Sequence, residues 1–214
     1  MTDGIILEAC IENCSRLDEL KRKGVDRVEL NDNMAENGTT VSYGVAEYGI
    51  KYCHNASIKV MNMIRPRGGN FVYSETELSI MLKDMEIFHN LGTDGVVFGC
   101  LTASGNLDRE KILCLIKAAK IRKIDIVFDM AFDLINSDEQ PESLRWLADN
   151  GVTRILTHGS PNQKDPIQNN YKRLKEYISL GGIEILPGGG VTNANFREIC
   201  AELGVKQAHG TKIL

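Results

Sequence analysis

Apolar residues along this chain gather into eight short runs at intervals of about thirty residues, and the stretches between most of them carry apolar positions at helical spacing. The runs are Ile6–Cys10, Arg27–Asn31, Ile58–Ile64, Gly95–Leu101, Asp125–Asp133, Arg154–His158, Ile183–Leu186 and Lys206–Thr211. Strands alternating with helices predict right-handed βαβ units and a parallel sheet. An open doubly wound sheet and a closed (β/α)₈ TIM barrel both satisfy that rhythm. Eight even units, with glycine-rich tips late in the chain, favour the closed barrel, an α/β fold forming a single domain over residues 1–214.

Local signals frame the helices. Asn13 or Ser15 is placed to cap a first helix that ends at Gly24, and Ser42 precedes a run to about His54. Ser74 with Glu77 spells a capping box for a helix to Leu91, closed by Gly92. Asp108 opens a helix to about Ile121. Further helices are expected over Ser137–Asp149, Asn169–Leu180 and Asn193–Leu203, each followed by glycine. The last helix of a full barrel is expected to be reduced or missing, exposing an apolar stripe suited to a homo-oligomer contact.

Composition narrows the function classes. A net charge of −4 without a long basic run argues against a nucleic-acid surface. No run approaches the ~18 apolar residues of a membrane span. A start without an apolar leader predicts a cytoplasmic location. Six cysteines without a C-x-x-C pair suggest free thiols in a reducing compartment, with Cys100, Cys114 and Cys200 as core residues.

Barrels place their chemistry at the C-terminal strand ends. By strand alternation Glu8 shares a face with Cys10, Glu29 with Asn31, and Asp129 with Asp133. Glu29, Asp129 and Asp133 are candidate acid–base groups. Carboxylates facing a barrel interior need cations or a ligand, and Arg65 and Arg67 in the Arg-Pro-Arg-Gly-Gly segment are the evident partners. The glycine run Gly188, Gly189, Gly190 after the seventh run, with Gly210 and Thr211 after the eighth, suits an anion held by backbone N–H groups. Together with Arg65 and Arg67 these residues form the expected anion site. A salt-bridge layer plugging the barrel is the competing reading. Cys10, His158 and His209 are the candidate soft metal ligands, copper being the ion they suit.

Several segments taken together resemble the CutC family: Val28-Glu29-Leu30, Ala35–Thr40, Ile64–Ser74, Asp94–Gly99, Ala131-Phe132-Asp133, Arg154–Thr157 and Pro187–Val191. The likeness runs the length of the chain. It implies a cytoplasmic, self-associating single-domain barrel with a role in copper homeostasis. Cys10 matches a cysteine common in the family. Asn31 stands where the family usually has cysteine, Asp129 where it has histidine, and His158 where it has serine. The retained arginines, carboxylates and glycine loops suit an oxygen-rich anion, so the resemblance leaves two ligands open: copper ion, or a small phosphorylated or carboxylated molecule acted on by an enzyme or binding protein.

Overall fold

Each of the eight apolar runs forms a strand, and the computed structural model, which describes residues 4–213, joins them into one parallel sheet. In chain order the elements are β1 (Ile6–Glu12), α1 (Leu17–Lys23), β2 (Arg27–Asn31), α2 (Tyr43–Asn55), β3 (Lys59–Met63), α3 (Glu75–Leu91), β4 (Gly95–Phe98), α4 (Arg109–Arg122), β5 (Asp125–Phe128), α5 (Gln140–Asp149), β6 (Arg154–Thr157), α6 (Tyr171–Leu180), β7 (Glu184–Pro187), α7 (Phe196–Leu203) and β8 (Gln207–Gly210). Strand order follows the sequence from β1 to β7, and β8 pairs β1. There is no switch point, so the open-sheet alternative is excluded and the barrel stands. The β7–β8 seam has no strand ladder. It is bridged by Gln207 Nε2 donating to Glu184 Oε2 at 2.9 Å, and by Asn193 N–H donating to Lys212 O at 2.9 Å.

Local chemistry sets the helix starts. Ser42 and Asp108 accept from Val45 and Lys111 N–H, and Ser74 with Glu77 completes the capping box. The first helix departs from expectation. It begins at Leu17 without a side-chain cap, because Ser15 donates back to Glu12 O and Asn13 donates to Asp32. The fifth strand is shorter than its apolar run. Asp129 accepts from Ala131 N–H at 2.9 Å and turns Met130–Leu134 into a 3₁₀ helix. Cys100 and Cys200 are buried as expected, whereas Cys114 is exposed on α4.

Outward-facing strand residues pack under the helices in one large apolar core. The barrel interior divides differently. Met61, Met63, Val97, Val127, Leu156 and Leu186, from β3 to β7, form a compact apolar cluster. On the other side alternate residues of β1, β2 and β8 are polar and buried: Glu8, Cys10, Arg27, Glu29, Asn31, Gln207 and His209. Arg27 is 4% exposed; its Nε pairs with Glu8, and its Nη2 donates to Gln207 Oε1 at 2.9 Å. A buried carboxylate stripped of its cation costs far more than the pair contributes. Arg27→Met is therefore expected to lower unfolding free energy by about 3–5 kcal/mol in urea titration, and Arg27→Met with Glu8→Leu to recover much of it. Equal stability of the single and double variants would count against the pairing.

Candidate functional site

The C-terminal ends of the strands surround a cavity of about 800 Å³. Its walls repeat the asymmetry of the interior: Met63, Phe71, Met130, Leu134 and Leu156 on one side, and Cys10, Glu29, Arg65, Asp129, Asp133 and His209 around the rest. The side chains of β1, β2 and β8 converge. The ligand atoms of Cys10, Glu29 and His209 lie within 4.8 Å of one another. Asn31 Nδ2 donates to Glu29 Oε1 at 2.8 Å and to Cys10 Sγ at 3.4 Å. His209 Nδ1 is 2.7 Å from Glu8 Oε1 and 3.9 Å from Glu29 Oε2. Glu8 lies two residues before Cys10 and does not line the cavity; it is spent on Arg27 and His209.

Charge is unevenly compensated here. Burial would raise the Glu8 carboxyl, but Arg27 and His209 outweigh it and hold it down at about 2. Glu29 has only the His209 charge, 3.9 Å away, to hold it down, and burial outweighs it. Burial raises it, the Glu8 charge adds to this, and its Oε2 has no hydrogen-bond partner. Burial would lower His209, yet the facing Glu29 carboxylate and the bonds to Cys10 and Glu8 carry it well above the ordinary imidazole range. Burial, with Glu29 beside it, lifts the Cys10 thiol to about 11.

Arg65 reaches the cavity from the loop after β3. Its Nη1 donates to Glu36 O at 2.6 Å and Gly38 O at 2.7 Å, its Nη2 to Gly69 O at 2.8 Å, and its guanidinium stacks on Phe71 at 4.7 Å. Gly38 sits at φ +87°, and a Cβ there would meet Asn31 Oδ1 at 2.5 Å, so the carbonyl clamp requires glycine. Arg65 is 3% exposed and its buried Nε has no partner. Arg67, expected beside it, turns outward. It pairs with Glu77 at 2.5 Å, donates to the carbonyls of Asn70 and Val72, stacks on Tyr73, and does not line the cavity.

Asp129 and Asp133 both line the cavity, although the 3₁₀ turn and not a strand brings them there. Burial raises Asp129 to about 7 against the opposing Ala131 N–H and the Arg65 charge. Asp133 is raised by burial to about 6, but its oxygens are taken up by Thr157 Oγ1 and the N–H groups of His158 and Gly159. That bonding makes it an anchor for the loop after β6. His158 is fully buried and lies outside the Cys10–Glu29–His209 group; its Nδ1 faces the carbonyls of Gly188 and Gly189. Gly188 is covered by Leu156, while Gly189, Gly190, Gly210 and Thr211 border the cavity.

The sequence reading missed Met34, whose Sδ lies 3.9 Å from Cys10 Sγ, and the cavity-lining lysines Lys164 and Lys212. Met34 sits in the 3₁₀ turn after β2, where no spacing rule reaches it. Lys212, directly after Gly210 and Thr211, carried a positional signal.

Asp129 gives a testable pH dependence. A carboxyl raised from 3.8 to about 7 binds its proton in the folded state across that window. It therefore favours folding below the unfolded pKa and opposes it as pH rises through the folded value. Asp129→Asn is expected to be more stable than wild type at pH 8, by on the order of 2–4 kcal/mol, with the difference vanishing near pH 4. Denaturation across pH checks it, and a pH-independent difference would contradict it.

Comparison with known proteins supplies the family. A CutC protein of Enterococcus faecalis is 46% identical over 212 residues, covering 98% of this chain and all of that protein. The human copper homeostasis protein cutC homolog is 35% identical over 207 residues, covering 97% of this chain and 73% of its own length. A crystal structure of a CutC protein from Streptococcus agalactiae superposes with a TM-score of 0.94 at 46% identity, over 98% of this chain and 100% of that one. A deoxyribose phosphate aldolase from Aeropyrum pernix matches at TM-score 0.70 and 13% identity, covering 99% and 88% of the two chains, a likeness of fold alone. The CutC family model matches residues 5–214, and the chain belongs to the CutC family.

Proposed function

We propose that this protein is an enzyme that moves a proton on a small anionic molecule, phosphorylated or carboxylated, bound in the barrel mouth. The observation that carries the reading is the convergence of Glu29, Arg65 and Asp129, each at most 4% exposed, on one cavity, with Glu29 Oε2 and Arg65 Nε left without partners. Buried polar atoms are ordinarily satisfied, and exceptions cluster where a ligand completes the bonding. Asp129 is the acid–base group, since a carboxyl held at about 7 is both protonated and ionised near neutrality. Glu29 serves as its counterpart across the cavity, and Arg65 supplies fixed positive charge to an oxygen of the ligand. No lysine is buried among the described residues, so Schiff-base chemistry on a desolvated amine has no candidate here.

The test is deuterium incorporation from D₂O into a panel of phosphorylated and carboxylated hydroxy and keto compounds, followed by NMR. Wild type should label at least one. Asp129→Asn should lower that rate by roughly 10²–10⁴-fold. Labelling at the wild-type rate in Asp129→Asn would overturn the assignment.

A second reading, copper handling, is favoured by one observation, the 3.9 Å approach of Met34 Sδ to Cys10 Sγ beside His209. Thiolate, thioether and imidazole suit copper(I), and Met34 then provides the second sulfur that Asn31 does not. The relatives' names point the same way. The ion is cargo in this reading, and its binding displaces the Cys10 proton. Competition against a copper(I) chelator should show affinity falling at least tenfold in both Cys10→Ala and Met34→Leu. Unchanged affinity in either removes that residue as a ligand. Six unpaired cysteines further lead us to infer a reducing compartment, the cytoplasm.

A further inference from the structure

We propose that the cavity rim formed after β6, β7 and β8 is a binding site for a phosphate group, and that His158 is the positioning residue that shapes it. The inference rests on reading the mouth as a ligand site and names the anion it takes. His158 is fully buried, with Nδ1 3.0 Å from Gly189 O and 3.3 Å from Gly188 O. Both partners accept, so Nδ1 carries a hydrogen and donates to them. No peptide bond among the described residues is cis. In a trans peptide the N–H points opposite to the C=O of the same unit. Drawing the carbonyls of Gly188 and Gly189 toward His158 therefore turns the N–H groups of Gly189 and Gly190 away from it. Gly189 and Gly190 border the cavity and His158 does not. Among the described residues neither N–H has a protein acceptor, nor does that of Val191 beside them.

The loop is built for this conformation. Gly189 and Gly190 have φ of +75° and +83°, and a Cβ on Gly189 would approach His158 Nδ1 to 2.9 Å. Positive charge stands at the same rim. Lys164 and Lys212 border the cavity there, and neither has a carboxylate within ion-pair distance among the described residues. The deeper mouth holds Glu29, Asp129 and Asp133, and Arg65 is already clamped by carbonyls. A dianion is thus favoured at the rim, where two ammonium groups and the N–H donors stand together. Successive N–H donors, the Thr211 hydroxyl and two ammonium groups match the several acceptor oxygens and double charge of a phosphate monoester better than a planar monoanionic carboxylate. The rim, in place of the arginine pair read from the sequence, then holds the phosphate while the attached carbon skeleton extends toward Asp129.

The probe is inorganic phosphate, followed by calorimetric titration and by amide NMR shifts, with acetate at matched ionic strength as control. Wild type should bind phosphate and not acetate, with the Gly189 and Gly190 amide protons moving downfield. Lys212→Ala, an exposed change, should weaken phosphate at least tenfold. His158→Phe should weaken it comparably and abolish the amide shifts, although this residue touches no ligand. If His158→Phe does not fold, Lys212→Ala and the wild-type amide shifts decide. No phosphate binding at millimolar concentration, or binding indifferent to Lys212→Ala, overturns the proposal, and Asp129-dependent labelling of a carboxylated compound would then leave the enzyme reading standing. Phosphate binding with labelling indifferent to Asp129→Asn has the reverse meaning.

Discussion

Burying ionisable groups inside a barrel is the constraint on which the rest of this structure turns. A carboxylate in a low-dielectric interior either finds a cation or keeps its proton. Glu8 finds Arg27 and His209 and stays ionised. Glu29 and Asp129 share weaker compensation and are pushed the other way. One interior thus contains carboxyls that their surroundings push in opposite directions. Concentrating most of this chemistry on β1, β2, β8 and the turn after β5 lets β3 to β7 contribute an apolar cluster, with Arg154 of β6 paired to Asp125 beside it, and that cluster supplies packing and a dry wall to the cavity.

The loops carry the second layer of the design. Arg65 is held by the carbonyls of Glu36, Gly38 and Gly69, and its backbone exchanges hydrogen bonds with Thr40, so the segments after β2 and β3 are locked to one another through this residue. Asp133 performs the same service after β6 with the backbone of His158 and Gly159, and His158 in turn fixes the loop after β7. The cavity edge is therefore a chain of side-chain-to-backbone contacts, each built on a strand end that the barrel already places.

Much of this was legible in the sequence. Strand alternation put Cys10 and Glu29 on the interior face, and the Ser74 and Glu77 capping box survives intact. Eight even units with glycine-rich tips late in the chain implied the closed barrel, and the strand order agrees. The failures have physical causes. Asp129 to Asp133 reads as a strand continuation because a 3₁₀ turn started by an aspartate side chain has no periodicity of its own. Arg65 and Arg67 look equivalent, but alternation about Pro66 sends one inward and the other onto Glu77 and Tyr73. His158 looks like a ligand because burial and the carbonyls it meets are tertiary facts. Arg27 was passed over because it opens β2, four residues before the strand tip, where sequence reasoning looks for salt bridges only after a partner is known.

The central claim is that this mouth holds carboxyls apart in protonation, and direct titration measures it. With ¹³C-labelled aspartate and glutamate, carboxyl NMR shifts followed against pH should show Asp129 titrating at about 7 and Asp133 at about 6, with Glu8 still ionised down to about 2. Asp129 titrating in the ordinary range, together with Glu8, would show a mouth without that separation and would contradict the account.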